Sequence, residues 1–375
     1  NITAATGLVS AALGWEKVES YDIGLDWGAF NNRLTGSFDY YVRNTKDMVG
    51  PAPELPALLG TDVPKTNNTD LRTTGWELQI GWRDHLENGL NYGVTFNVSD
   101  AQAKVTRYPN NPTGSLSTYI ENRKVGEIWG YETIGIAKTD DEMNKHLATL
   151  PNGGQSQLGD KWAAGDIMYR DLDGDGKISN GSNTLADHGD LKVIGNNTPR
   201  YLFGLDLTAS WKGFDFRAFM QGVMKRDYNV NGSWGAREYL FGATDSGVWW
   251  AAGITGVQDY FRDSETWSVK NGYESENLNA YLPRPQYSEK NIHTQTRYLL
   301  NAAYLRMKNL QVGYTLPQSL VSKAGLGNVR FFVSAENLFT ITDLPSQFDP
   351  ETIDTAYGNG YPLSRTFSFG VNVTL

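Results

Sequence analysis

The residues best suited to chemistry form an acidic loop near the middle of the chain. Asp171, Asp173 and Asp175 stand two residues apart and are followed by Gly176. This is the spacing of a calcium loop, in which carboxylates at positions one, three and five converge on one hard cation and the glycine permits a sharp turn. The backbone carbonyl of Lys177 stands at position seven. The pattern therefore predicts a structural Ca²⁺ site.

Position twelve of this loop departs from the calcium pattern. Ser182 stands there in place of a glutamate, and a serine hydroxyl cannot replace a bidentate carboxylate. A downstream carboxylate must complete the site, and Asp187 or Asp190 is the nearest. The alternative is a solvated turn rich in Asp and Gly that binds no metal. Because no group that a metal would activate stands beside the loop, we expect Ca²⁺ to stiffen it and not to take part in a reaction.

The remaining motifs do not support an enzyme. The 4 histidines have no HxxxH or HxH spacing, and His188, beside the acidic loop, is interpreted as a surface residue, with a metal ligand as the less favoured alternative. No GxSxG, Walker A or dinucleotide-binding motif joins a strand to a helix. The chain has no cysteine, which excludes disulfides, zinc–thiolate and iron–sulfur sites and thiol nucleophiles. We therefore expect no enzymatic activity.

The stretch 225–302 is a second candidate for ligand binding because it is rich in aromatic residues. Aromatic faces stack on sugar rings through CH–π contacts, so the stretch is a candidate part of an oligosaccharide-binding surface. The alternative is that these side chains pack on one another or against a covering protein, and the sequence favours neither. The residues singled out as candidates are Trp234, Trp249 and Trp250, and the stretch also holds Tyr239, Phe241, Tyr260, Phe261 and Trp267.

The elements that position these loops are strands. Apolar and polar residues alternate without interruption over 20–27, 90–99 and 366–375, which is the period of a strand with one apolar face. Runs of about ten residues are long for a soluble sheet and match a tilted strand that crosses a bilayer. A short helix near 139–147 and a helical turn near 318–324 are expected between them. The pattern predicts nine strands, near 16–29, 33–45, 74–84, 89–106, 201–211, 214–224, 303–316, 328–341 and 363–375.

One predicted strand, 303–316, changes phase along its length. Leu305 and Met307 share one face, whereas Leu310, Val312 and Tyr314 continue in the other phase. A single extra residue shifts the alternation in this way, so a β-bulge is predicted near Asn309.

The connections between the predicted strands alternate in length. Short connections, near 31–32, 85–88, 212–213 and 317–327, alternate with long ones, near 46–73, 107–200, 225–302 and 342–362. This order predicts an all-β, antiparallel transmembrane barrel with short periplasmic turns and long extracellular loops. A soluble, calcium-dependent, glycan-binding β-sandwich is the alternative, but a sandwich has no reason to sort its loops by length. The net charge of −9 and the lack of a basic cluster argue against nucleic acid as a partner.

Several motifs, in this order along nearly the whole chain, resemble the SusC/RagA family of TonB-dependent outer-membrane transporters. They are WEK (15–17), IGLD (23–26), NRLTGSFDYY (32–41), TKD (45–47), GDI (165–167), DLDGDGKI (171–178), IGN (194–196), WKGFD (211–215), QGV (221–223), YLRMKNL (304–310), GYTLP (313–317) and AENLF (335–339).

The resemblance implies that residues 1–375 are the C-terminal segment of such a barrel, which has about 22 strands in transporters of this kind. The plug domain and the earlier strands are then absent from this chain, which agrees with an odd strand count in a class of even-numbered barrels. It also implies a multi-pass protein of the bacterial outer membrane. The expected function is TonB-dependent import of oligosaccharides captured under a SusD-like lipoprotein lid, energised by TonB-ExbB-ExbD through the missing N-terminal part. Peptide import is the alternative within the family.

Overall fold

The computed structural model describes residues 13–50, 65–230, 258–286, 288–354 and 363–375. Their strands, in chain order, are β1 (Lys17–Ala29), β2 (Leu34–Gly50), β3 (Thr66–His85), β4 (Asn91–Arg107), β5 (Glu127–Gly130), β6 (Thr133–Ile136), β7 (Ile167–Tyr169), β8 (Lys192–Asn196), β9 (Arg200–Trp211), β10 (Phe214–Lys225), β11 (Asp227–Asn229), β12 (Leu299–Asn301), β13 (Tyr304–Thr315), β14 (Asn328–Glu336), β15 (Thr340–Thr342) and β16 (Thr366–Thr374).

The long strands form one antiparallel sheet in the order β1-β2-β3-β4-β9-β10-β13-β14-β16, with β15 pairing on β13. Each member of this path coincides with one of the nine predicted strands, and neighbours in the path follow one another along the chain. The all-β, antiparallel class is therefore confirmed. A sandwich would need two large packed sheets, whereas the described residues form a single large sheet, so the sandwich alternative is wrong.

The sheet has one apolar face that stays open to the surroundings. Cross-strand pairs such as Leu25–Phe38, Val312–Val333 and Val333–Phe369 place apolar side chains opposite each other on this face, since directly paired residues point to the same side. The exposed members of the apolar face include Ile23, Leu25, Phe38, Tyr40, Ile80, Val94, Phe216, Val312, Val333, Phe369 and Val371. Apolar side chains in this number are stable when lipid covers them.

The opposite face of the sheet is polar. Ser37 pairs with Gln79, and Gln79 pairs with Asn97, so these amide and hydroxyl groups lie in one row. On the same face Arg217 contacts Asp206 at 2.7 Å. A sheet with one lipid-type face and one hydrated face is the wall of a β-barrel.

The short connections are tight turns, and the long ones carry structure of their own. Lys212 and Gly213, which join β9 to β10, both have positive φ (47° and 88°), as a two-residue type I′ hairpin turn requires. The other short connections cover 30–33, 86–90 and 316–327. The predicted alternation of short and long connections is therefore confirmed along the sheet.

The β-bulge predicted near Asn309 is present. Phe219 of β10 pairs with Asn309, but the next residue, Met220, pairs with Met307, so Lys308 is the extra residue. The predicted strand 328–341 is divided in two, because Asn337 has a φ of 51° and ends the run of β14. β15 then continues the pairing on β13, where Arg306 faces Thr340.

β2 and β3 extend beyond their predicted limits of 45 and 74. Their pairing passes through irregular register between Thr45 and Met48 and continues to Gly50 and Thr66. Most side chains in this outer part are polar, with Met48, Val49 and Leu71 as the exceptions. Arg107 of β4 contacts both Asp47 and Asp70 there. The alternation of apolar and polar residues ends where the strands leave the apolar zone, so the pattern alone underestimates their length.

The long connections fold into a second layer, the loop layer, formed by the described parts of 108–199, 226–303 and 343–354. It holds three two-stranded sheets, β5–β8, β6–β7 and β11–β12. Its core includes the fully buried side chains of Ile167, Tyr169, Ile178, Leu282 and Tyr298. The core joins residues from all three connections, so the loops form one packed unit and are not independent excursions.

The helices are short, as predicted. α1 (Asp140–Ala148) begins after Thr139, whose hydroxyl accepts a hydrogen bond from the Glu142 amide at 3.1 Å. α2 (Trp267–Lys270) lies in the connection from β11 to β12, and α3 (Gln318–Val321) in the connection from β13 to β14. No helix in the described ranges is both long and apolar enough to cross a membrane.

Candidate functional site

The acidic loop, residues 171–190, lies in the loop layer between β7 and β8. One carboxylate oxygen each from Asp171, Asp173 and Asp190 lies within 4.8 Å of the other two. Among the described residues this is the one group of three or more carboxylates or imidazoles close enough to share a cation. Hard oxygen donors in such a cluster suit Ca²⁺.

The start of the acidic loop is shaped by hydrogen bonds to Asp171. The amides of Gly174 and Gly176 donate to its two carboxylate oxygens at 2.6 and 3.0 Å. Both glycines have positive φ, 77° and 79°, which the tight turn requires. The amide of Asp175 donates to Asp173 at 3.1 Å. The backbone therefore wraps around the carboxylates, as the predicted calcium loop requires.

Asp190 closes the loop. Its side chain is buried, and its two oxygens accept hydrogen bonds from the amides of Leu172 at 2.6 Å and Ser179 at 2.7 Å. Burial raises the pKa of Asp190, and the nearby carboxylates of Asp173 and Asp171 raise it further. Three acidic groups in this space repel one another, and a bound divalent cation would remove that repulsion.

Asp187, the other predicted closing residue, lies outside this group. Its carboxylate accepts hydrogen bonds from the Ser182 amide at 3.0 Å and the Ser182 hydroxyl at 2.5 Å. These bonds, the hydroxyl first, hold the pKa of Asp187 below its usual range. Of the two alternatives, the structure places Asp190 and not Asp187 beside Asp171 and Asp173.

Two other predicted members are positioned differently. The Asp175 carboxylate lies 3.2 Å from Lys177 Nζ and accepts the Lys177 amide at 3.1 Å, and it does not belong to the three-carboxylate group. The His188 ring lies against Trp129, with ring centroids 5.5 Å apart. His188 is therefore a half-buried packing residue, which differs from its interpretation as an open surface residue, and it is not one of the three clustered groups.

The acidic loop is fastened to the rest of the loop layer. The backbone amide of Asn152 donates to the Gly176 carbonyl at 2.8 Å, and its side-chain amide donates to the Asp175 carbonyl at 2.6 Å. Ile178, which follows the acidic residues, is fully buried in the core. The acidic loop is therefore tied directly to the packed core.

The aromatic candidates Trp234, Trp249 and Trp250 lie outside the described residues, as do Tyr239 and Phe241. In the described part of the stretch, Phe261 is fully buried and belongs to the core. The Tyr260 hydroxyl donates to Glu274 at 2.5 Å. Trp267 is exposed and stacks on Tyr273, which sequence reasoning did not single out.

A buried ionic cluster was also missed by sequence reasoning. Asp166 is fully buried, and its Oδ2 accepts a hydrogen bond from Lys290 Nζ at 2.8 Å. Its Oδ1 accepts from Asn291 and Gln286, each at 2.9 Å. The cluster joins the connection before β7 to the connection before β12. Lys290 stands in a polar stretch of sequence that looks solvated, so no sequence signal marked it.

The segment 343–354 lies on the polar face of the sheet. Arg306 of β13 is buried and contacts Asp349 at 2.9 Å and Glu351 at 2.7 Å. Lys308, the bulge residue, contacts Glu351 at 3.0 Å. The two cations stand two residues apart on one strand and so point to the same side, where they hold the segment across the hydrated face.

Comparison with known proteins assigns the chain to a family, although no protein-family model matches it. The chain is 31% identical to the TonB-dependent receptor P3 of Formosa agariphila over 398 aligned residues, which cover 100% of this chain and 35% of that protein. It is 22% identical to the TonB-dependent receptor SusC of Bacteroides thetaiotaomicron over 96% of this chain and 32% of that protein. The chain thus spans about a third of the length of the curated relatives it matches.

Solved structures support the same fold. The structure of the RagAB peptide transporter matches with a TM-score of 0.66 and 24% sequence identity, over 97% of this chain and 36% of that chain. A second RagAB structure, in an "open-open" state, matches with a TM-score of 0.67. These structural matches show the fold. The 31% identity to the TonB-dependent receptor P3 over the whole chain, with the similarity to SusC, shows that the chain belongs to the SusC/RagA-type TonB-dependent receptors, β-barrel proteins of the outer membrane.

Proposed function

We propose that the protein imports oligosaccharides across the outer membrane in a TonB-dependent manner. The observation that supports import best is the sheet with one lipid-type face and one polar face, joined on one side by tight turns and on the other by a packed loop layer. A wall of this kind encloses a hydrated passage, and the loop layer stands where a ligand enters it. The short turns then face the periplasm and the loop layer faces outward.

The proposed partners follow from the family. A SusD-like surface lipoprotein covers the loop layer and captures the cargo, and TonB-ExbB-ExbD drives uptake through the part of the protein that precedes this chain. Residues 1–375 supply the C-terminal part of the barrel, and the plug domain lies outside them. Affinity purification of the full-length protein from native membranes tests the lid, because a SusD-like lipoprotein is expected to co-purify in a stoichiometric amount.

The cargo class is tested by growth and uptake in the bacterium that makes the protein. Deletion of the gene is expected to abolish growth on at least one polysaccharide as sole carbon source while growth on peptides is unchanged. Dissipation of the proton gradient is expected to stop uptake of the same labelled oligosaccharide. Loss of growth on peptides alone would contradict the oligosaccharide proposal and identify a peptide importer, the function that the name of the RagAB transporter gives for that protein.

We also propose that Asp171, Asp173 and Asp190 bind Ca²⁺, with Asp175 and the Lys177 carbonyl as further candidate ligands. The mutual approach of three carboxylates supports this site, and the cation would stiffen the loop layer without a chemical role. Elemental analysis of protein dialysed against CaCl₂ and then against metal-free buffer tests it. We expect about one retained calcium per chain, and no retained calcium would contradict the proposal.

The protein is proposed not to be an enzyme. The support is that the proteins it resembles are named as TonB-dependent receptors and as a peptide transporter. Hydrolysis of a glycan by the purified protein, abolished by one carboxylate substitution, would contradict this.

A further inference from the structure

The connection between β11 and β12 exposes two large aromatic side chains at a fixed geometry. Trp267 is 70% exposed and Tyr273 is 72% exposed. Their rings stack with centroids 5.4 Å apart and planes inclined by 19°. The transfer of large aromatic rings out of water is favourable. A pair of such rings held in the solvent therefore indicates a surface that a ligand covers.

The backbone around α2 holds this pair in place. Asn271 caps the C-terminus of α2, and its backbone amide and side chain both donate to the Trp267 carbonyl, at 3.1 and 2.8 Å. Gly272 then adopts a φ of 72°, the left-handed conformation that glycine tolerates best. The Tyr273 amide donates to the Ser268 carbonyl at 2.9 Å. The position of Tyr273 against Trp267 is therefore set by hydrogen bonds of the chain and not by the rings alone.

The chain next to the pair is also held in place, by contacts of the Glu274 and Arg262 side chains. Glu274, next to Tyr273, accepts from the Tyr260 hydroxyl at 2.5 Å and contacts Arg262 Nη1 at 3.4 Å. Arg262 Nε in turn donates to the Ser275 carbonyl at 3.0 Å. Phe261, which stands between Tyr260 and Arg262 in the sequence, is fully buried in the core. The pair is thus a preorganised surface on the loop layer, which reduces the entropy lost when a ligand binds.

The size of the aromatic surface decides what kind of ligand it fits. Within 258–286, Trp267 and Tyr273 are the exposed large hydrophobic residues, and the other apolar side chains of that range are less accessible. A stable protein interface buries about 800 Å² on each partner around an apolar core, and two isolated rings do not provide such a core. They match the flat face of one or two sugar rings.

The charge distribution of the rings favours the same ligand. An aromatic face is electronegative, and the face of a pyranose that carries axial C–H groups is slightly electropositive, so the two stack. An ion pair at the two ends of α2, Lys270 with Glu265 at 2.5 Å, is mutually neutralised and can exchange hydrogen bonds with sugar hydroxyls at the rim. In a peptide, the comparable C–H face is that of a proline ring.

We propose that Trp267 and Tyr273 form a stacking site for pyranose units of a glycan. The proposal rests on the proposed function for its cargo class and adds a binding site on the outer loop layer, away from the acidic loop. Stacking depends on the C–H face of each sugar ring and not on the linkage between rings. Simple glucans are therefore expected to occupy the site even where they are not the transported cargo.

Saturation-transfer NMR on the full-length protein in detergent, with maltoheptaose and laminarihexaose as probes, tests this site. We expect transfer to the axial ring protons, reduced roughly fivefold to tenfold by Trp267→Ala or Tyr273→Ala. Trp267→Phe keeps a stacking face and is expected to retain most of the signal, which separates lost stacking from misfolding. Tyr119→Ala is the matched control, because Tyr119 is an exposed aromatic residue of another connection that packs on Tyr108.

Two results would overturn the proposal. One is the absence of saturation transfer with the wild-type protein, and the other is an equal signal from wild type and Trp267→Ala. In the second case glycan binding at another place remains, so the import function stands and the stacking site alone is wrong. Growth and uptake of the deletion strain report on the import function independently.

Discussion

Lys290 Nζ donates a hydrogen bond to Asp166 Oδ2 at 2.8 Å in the interior of the loop layer, where both side chains are buried. Lys290 also donates to the carbonyls of Asp160 and Lys161, at 3.0 and 2.9 Å, and its ammonium lies 4.9 Å from the centre of the Trp162 ring. The pair links two connections that are far apart in sequence. A loop layer built on such links presents a defined surface to a ligand or a lid.

Replacement of Asp166 by Asn is expected to loosen this link. The substitution keeps the shape but leaves the buried Lys290 charge without a carboxylate, which costs about 3–5 kcal/mol of local stability. Hydrogen exchange of the Ile167 and Tyr169 amides measures the loss. Asp141→Asn is the matched control, because the Asp141–Lys145 pair is solvent-exposed and contributes less than about 1 kcal/mol. Equal changes in protection for the two variants would contradict a structural role for the buried pair.

Calcium affinity is expected to depend on Asp190 and not on Asp187. Asp190→Asn removes one of the three clustered carboxylates, so we expect affinity to fall by about tenfold or more. Asp187→Asn, which changes a carboxylate bonded to Ser182, is expected to leave affinity within about threefold. Calorimetric titration of EGTA-treated protein with CaCl₂ measures both. A larger loss of Ca²⁺ affinity for Asp187→Asn than for Asp190→Asn would show that Asp187, and not Asp190, completes the site.

The stability of the calcium-free acidic loop is expected to fall as pH rises. The folded state raises the pKa of Asp190, chiefly by burial, so the folded loop binds this proton more tightly than the unfolded chain does. Its stabilisation is complete below the unfolded pKa and is lost as pH increases through the folded pKa.

Hydrogen exchange of the Leu172 and Ser179 amides between about pH 4 and pH 7, corrected for intrinsic rates, measures this dependence. Saturating Ca²⁺ is expected to abolish it, and Asp190→Asn is expected to abolish it without metal. A protection that increases with pH in the metal-free wild type would contradict the assigned direction.

An added positive charge is expected to destabilise the protein on the apolar face of the sheet and to have almost no effect on the polar face. Val312→Arg places a cation on the apolar face between Phe216 and Val333, which costs about 2 kcal/mol or more in a bilayer. Ser334→Arg, on the polar face between the uncharged residues Gln311 and Ser368, is expected to change stability by less than about 0.5 kcal/mol. Urea unfolding in lipid vesicles, followed by tryptophan fluorescence, compares them. Similar costs for both variants would show that the faces have been assigned wrongly.

The sheet was predictable because its two faces meet different solvents. A period of two over about ten residues records that difference directly, and even the bulge at Lys308 left a phase shift between Met307 and Leu310. The outer ends of β2 and β3 were missed, because above the apolar zone polar residues predominate on both faces and the regular alternation ends.

The acidic loop shows where local sequence stops being informative. The spacing of Asp171, Asp173 and Asp175 predicted the turn, but the choice between Asp187 and Asp190 depends on how the chain returns. The path of the chain back to the loop is fixed by Asp190, which is buried and accepts hydrogen bonds from the Leu172 and Ser179 amides. Likewise, the contact of Lys290 with Asp166 is a tertiary contact between polar stretches that has no periodic signature.

The central claim, that this chain forms a barrel wall between lipid and a hydrated interior, is most directly tested by spin labelling. The chain contains no cysteine, so single cysteines at Val312, Val333 and Phe369 on the apolar face, and at Gln311, Ser334 and Ser368 on the polar face, can be labelled in vesicles. The account predicts that collisions with oxygen dominate for the first set and collisions with a water-soluble nickel complex for the second, alternating residue by residue. Equal access of the nickel complex to both sets would contradict it.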